Sequence, residues 1–110
     1  MAFTQESSDS MPAGARATVQ VTPNPTTERG QQVTITGHCG GGTGLRAVVS
    51  GVDGRPVLED VEIIESGPDR FEARAKLRET VGNGVGPVLV DCGGEAGVTL
   101  LVTHVTSNPA

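Results

Sequence analysis

The chain has 110 residues, a net charge of −5 and an apolar fraction of 35%, which fits one domain of ordinary size. A negative balance with no cationic stripe argues against a nucleic-acid or anionic-membrane surface, and apolar runs of only a few residues exclude a membrane-spanning segment. With no Trp, no Tyr and two Phe, the core has to be built from Val, Leu, Ile and Ala, whose side chains each remove modest area from water.

Residues 1–16 contain Ser, Gly and Pro without any period and are expected to form a disordered lead-in. Their first ten residues have neither the basic nor the apolar region of a secretory signal. From Ala17 the pattern changes: Val19 and Val21 alternate with Thr18, Gln20 and Thr22, a half-buried strand stopped by Pro23-Asn24-Pro25. After a turn at 26–30, Val33, Ile35 and Cys39 share one face, with Thr34, Thr36 and His38 on the other. Gly37 falls on the inward parity, where a missing side chain marks a bulge or a close backbone approach.

Residues 40–44 read as a flexible Gly-rich loop, followed by a third strand over 45–49. Asp53-Gly54 is a hairpin-turn dipeptide because both residues tolerate positive φ. In the next strand, 57–64, the apolar phase shifts between Val61, Ile63 and Leu58, Ile64, which predicts a bulge or a twisted edge. The clearest alternation is Phe71, Ala73, Ala75 and Leu77 against Glu72, Arg74, Lys76 and Arg78. Its period of two, after the turn Ser66-Gly67-Pro68-Asp69, outweighs the helix propensity of these residue types and predicts a strand. Gly82-Asn83-Gly84 opens a turn, and strands over 88–92 and 98–105 complete a set of seven, punctuated by Gly and Pro as in an all-β sandwich.

Cys39 and Cys92 each close a strand-like run and are each followed by Gly-Gly. Their placement on two different strands points to one disulfide joining two sheets, closing a loop long enough to add roughly 4 kcal/mol on the chain-entropy account. Disulfides persist in oxidising compartments and are rare in the cytosol. Bridge and N-terminus agree if a mature extracellular or cell-envelope domain follows a start Met; an intracellular chain with two free thiols is the other possibility. His38 and Asp91 flank the cysteines with the opposite strand parity and point away from them, and no Cys-x₂₋₄-Cys or His-x₃₋₅-His spacing supports a metal site. Ser50 and Ser66 lie in no nucleophile motif, and the Gly-rich stretches 40–44 and 82–86 lead into neither a Lys nor a helix, so they are loops rather than phosphate cradles. No catalytic, cofactor or metal-binding residue is expected. Glu59, Asp60, Glu62 and Glu65 oppose Arg70, Arg74, Lys76 and Arg78 across the 66–69 turn, as cross-strand ion pairs on a solvated face or as a protein-binding surface.

Seven strands with cysteines closing the second and sixth resemble the immunoglobulin-like fold. The runs Ala17-Thr-Val-Gln-Val-Thr-Pro23, Gly30-Gln-Gln-Val-Thr-Ile-Thr-Gly-His-Cys39, Phe71-Glu-Ala-Arg-Ala-Lys-Leu77 and Cys92-Gly-Gly94 look like those of the Ig-like domains of secreted or cell-wall-associated actinobacterial proteins. The likeness covers residues 17–105. It departs from antibody domains in lacking the core Trp, and Val90 stands where the tyrosine corner would be. The Ala-Thr-Val…Thr-Pro opening is also similar to the neocarzinostatin-like chromophore carriers, which differ in having two local disulfides and an aromatic cleft.

The resemblance implies an immunoglobulin-like two-sheet sandwich over 17–105, with a linker or tail at 106–110. It implies a non-catalytic structural, adhesion or protein-interaction module, extracellular or attached to the cell envelope, without a cofactor. The partner is a protein or cell-wall component, met through loops 40–44, 52–56 and 80–86 or through an edge strand. The chain itself is expected to be a monomer or a weak edge-strand dimer. A small-molecule carrier is the alternative.

Overall fold

The structure, a computed structural model, describes residues 14–51, 56–79 and 83–103. It holds seven strands: β1 (Thr18–Thr22), β2 (Gln32–His38), β3 (Ala47–Ser50), β4 (Leu58–Glu65), β5 (Phe71–Leu77), β6 (Gly84–Asp91) and β7 (Ala96–Thr103). They form a four-stranded sheet in the order β1-β2-β5-β4 and a three-stranded sheet in the order β3-β6-β7, with every pairing antiparallel.

The period-two runs set the inner faces. On β5, Phe71, Ala73, Ala75 and Leu77 are buried, and they lie opposite Gly37, Ile35 and Val33 of β2 and Leu58 of β4. From the other sheet Val88, Val90 and Leu101 are buried against them. Phe71 is the largest fully buried side chain, so the aliphatic core anticipated from composition has one aromatic at one end. Gly37 is the reason Phe71 fits. The pairs Val19–Gly37 and Gly37–Phe71 put it between two strands, and a Cβ there would collide with the Thr18 carbonyl oxygen and lie 2.7 Å from Phe71 Cζ.

Two strand starts differ from the sequence expectation for a local reason. The third strand begins at Ala47 because the Leu45 N–H turns to the Ser66 carbonyl (2.6 Å), leaving Arg46 to start the approach to β6 through the Asp91 carbonyl (2.7 Å). The sixth begins at Gly84, so part of the expected 80–86 loop is strand, paired from Gly84–Thr103 onward. Pro87 is tolerated within it because β3 ends at Ser50, opposite Val88. The Pro87 carbonyl accepts the Gly51 N–H at 3.3 Å, so the side on which proline lacks a donor faces the end of β3, where the ladder has stopped. The phase slip on β4 is a pair of register breaks, between Glu59 and Glu62 and between Ile63 and Glu65, with Asp60 at φ 54°. Asp53-Gly54, residues 80–82 and the expected continuation of the last strand to 105 lie outside the described residues.

Candidate functional site

Cys39 and Cys92 are disulfide-bonded with Cα atoms 5.4 Å apart, and both are fully buried. One follows β2 in the larger sheet and the other follows β6 in the smaller, so the bridge ties the sheets together. The 40–44 segment folds over it. The Gly42 N–H donates to the Cys39 carbonyl (2.8 Å), and the Thr43 and Gly44 N–H groups donate to the Cys92 carbonyl (2.9 and 3.2 Å). The cysteine N–H groups reach the Pro68 and Glu95 carbonyls (3.0 and 2.8 Å). Backbone groups that burial takes from water are thereby satisfied. His38 and Asp91 are exposed, on the outer parity; His38 Nδ1 accepts the Gly40 N–H (3.1 Å) and Asp91 Oδ1 accepts the Gly93 N–H (3.0 Å). Both side chains serve their own turns rather than a shared site.

The two outer faces differ in chemistry, although β4 at the edge of the larger sheet also exposes Val61, Ile63 and Ile64. On the four-stranded sheet, Gln20, Thr34, Thr36, Glu72, Arg74, Lys76, Glu59 and Glu62 occupy outward register positions. Arg78 pairs with Glu59 and Arg70 with Glu65 across the β4–β5 hairpin, at 3.6 and 3.7 Å. These are solvent-exposed pairs, each worth about 0.2–1 kcal/mol at most. A recess of about 480 Å³ opens beside the β4 bulge, lined by Gly30, Gln32, Asp60, Glu62, Arg74 and Lys76. Its two acids offset its two bases, so it presents no net field to a charged ligand.

The three-stranded sheet is apolar outside as well as inside. Val49, Leu89 and Val98 form one row across β3, β6 and β7; Leu100 lies beside Pro87, and Val102 beside Val85. These six Val and Leu side chains are between 38% and 60% exposed. At one end an apolar recess of about 210 Å³ is lined by Ala15, Ala17, Leu89, Ala96, Gly97 and Val98, smaller than the roughly 300–1,000 Å³ of a small-molecule pocket.

Glu95, which the sequence reading passed over, holds the rim of that recess. Its carboxylate is buried, and its Oε1 accepts the N–H groups of Gly14 (3.0 Å) and Arg16 (2.7 Å). The Ala17 N–H then donates to the Ala96 carbonyl at 3.2 Å. Farther along, Asn24 Nδ2 donates to the Leu100 carbonyl and Asn24 Oδ1 accepts the Val102 N–H, both at 2.9 Å, while the Thr26 N–H donates to the Val102 carbonyl at 3.0 Å. The segment around β1 therefore covers the free edge of β7. The other edges are defended differently: β3 has only four residues, and β4 is bulged and acidic. Short, bulged and charged edges resist strand addition.

The strand orders β1-β2-β5-β4 and β3-β6-β7, with a bridge between the second and sixth strands, are those of a constant-type immunoglobulin-like sandwich. The fold class expected from the cysteine placement is therefore the observed one. No protein-family model matches the chain, and no curated protein does. Among solved structures it is similar to the titin M3 domain, with 19% identity over 79% of this chain and 95% of that one, at a TM-score of 0.43.

Proposed function

We propose that this domain is a non-catalytic protein-interaction module that binds through the outer face of β3, β6 and β7. The observation that carries this reading is the exposed apolar face itself. Its six Val and Leu residues are 38% to 60% exposed and adjacent in register, which leaves on the order of 500 Å² in water, a contiguous patch of a size that is often functional on soluble proteins. Across β1, β2 and β5 the other sheet's outer face is polar, and its exposed Val61, Ile63 and Ile64 are confined to the bulged β4 edge. A face rather than an edge suits the defended edges, and strand addition is correspondingly disfavoured. The carrier alternative draws no support from a sheet interior filled by Phe71, Ile35, Leu77 and Leu101.

The domain belongs outside the cytosol on this reading, at the cell envelope or beyond it. The support is the buried bridge, which stabilises a small domain only where thiols become oxidised. Photocrosslinking in the source cells tests the interaction reading. A benzophenone side chain replacing Leu100 should give protein adducts, and the same group replacing Thr34 on the polar face should give few. Equal yields from the two positions, or none from position 100, would remove the reading.

A further inference from the structure

The apolar face also narrows the choice of partner, and the following rests on the interaction reading above. We infer that the occupant is a second copy of this chain, packed face to face through β3, β6 and β7. Three features of the surface lead there.

The first is charge. The chain carries a net −5, which opposes self-association wherever charged surface meets charged surface. Val49, Val85, Leu89, Val98, Leu100 and Val102 bring no ionisable group to the contact. The acid nearest their rows, Asp91, lies at the end of β6 with its carboxylate accepting the Gly93 N–H. Apart from Asp91 at the end of β6, two copies of this face meet without juxtaposing like charges among the described residues. Among the described residues, Asp91 at the end of β6 is the one charged group this face offers to a partner of different chemistry.

The second feature is shape. The six side chains stand on antiparallel strands in continuous register, so they form ridges at the regular spacing of a pleated sheet. A sheet of this kind packs on another at about 10 Å, with interdigitating side chains. A two-fold axis makes one patch serve as both halves of such an interface.

The third is area. About 500 Å² from each copy gives roughly 1,000 Å² in total, the lower bound for a specific interface and typical of a transient one. The face is therefore large enough for a reversible dimer and too small for an obligate one. The covered edge of β7 and the short edge of β3 leave face packing as the geometry available to this sheet.

Sedimentation of the purified oxidised chain between about 1 μM and 1 mM tests this, since a contact of this size falls in that affinity range. The weight-average mass should climb from 11.2 kDa toward twice that value. Leu100→Glu should hold the mass at the monomer value throughout, with the dilute-solution melting temperature unchanged because position 100 is exposed. Thr34→Glu should dimerise as the natural chain does. A natural chain that stays monomeric at 1 mM, or a Leu100→Glu chain that dimerises equally, overturns the inference. The benzophenone adduct at position 100 separates this failure from failure of the broader reading. An adduct of twice the chain mass supports self-association. An adduct with another protein overturns it while the interaction module stands, and no adduct overturns both.

Discussion

Removing the Cys39–Cys92 bridge tests how much this sandwich depends on its one covalent cross-link. The cysteines are 53 residues apart, and closing a loop of that length lowers the entropy of the unfolded chain by an amount worth about 4 kcal/mol at 25 °C. A domain of this size has a total stability of about 5–15 kcal/mol. Among the described residues the core holds a single buried aromatic, Phe71, with no Trp or Tyr in the chain, which places the hydrophobic contribution toward the small end. The Cys39→Ala, Cys92→Ala double variant should therefore melt roughly 15–30 °C below the oxidised protein, at about 4–8 °C per kcal/mol. Circular dichroism melts at matched dilute concentration measure the difference, and denaturant titration checks that the loss lies in the midpoint. Two alkylatable thiols in the natural chain only after unfolding in reductant would establish the starting state. If the variant melted within a few degrees of the oxidised protein, the bridge would not be the element that stabilises the fold, and the argument from a thin core would fail.

Other substitutions probe the packing and the rim. Gly37→Val should cost about 1–3 kcal/mol, since its side chain has to displace the Thr18 backbone or the Phe71 ring; a denaturant midpoint unchanged from the natural chain would contradict that geometry. Phe71→Ala, at a fully buried position, should cost about 3–5 kcal/mol by the same assay. Glu95→Ala removes the acceptor of the Gly14 and Arg16 N–H groups, and hydrogen exchange should show those two amides losing protection while the β2 and β5 amides keep theirs. Arg78→Ala removes an exposed pair with Glu59 and should shift stability by less than about 1 kcal/mol.

The fold was legible in the sequence wherever one parity was apolar and the other polar. The alternation from Phe71 to Leu77 fixed β5, Val33 and Ile35 fixed β2, and Gly37 announced the close approach that the structure contains. The candidate site was much less legible, because on β6 both parities are apolar and on β7 the parity that carries the threonines is the one turned inward. Val98, Leu100 and Val102 alternate with Thr99, Leu101 and Thr103, a pattern that by itself favours Val98, Leu100 and Val102 as the inward set. The structure turns Leu101 and Thr103 inward and leaves the other three exposed. One signal for this was available. Counting back by twos from the buried Cys92 assigns Val90 and Val88 to the core and leaves Leu89 and Val85 outside, with no polar residue on that face of the strand until Asp91. Glu95 had no sequence signature, since its role depends on a contact with residues 79 and 81 positions away.

The central claim is that the outer face of β3, β6 and β7 becomes covered while the polar face stays in water. Methyl-resolved NMR over a dilution series reads this directly, with a soluble paramagnetic agent reporting exposure. The methyls of Val49, Leu89, Val98 and Leu100 should shift with concentration and lose contact with the agent as the protein is concentrated. Those of Thr34 and Thr36 should not change. Concentration-independent shifts and full exposure of the Val and Leu methyls at the highest concentration would contradict the account.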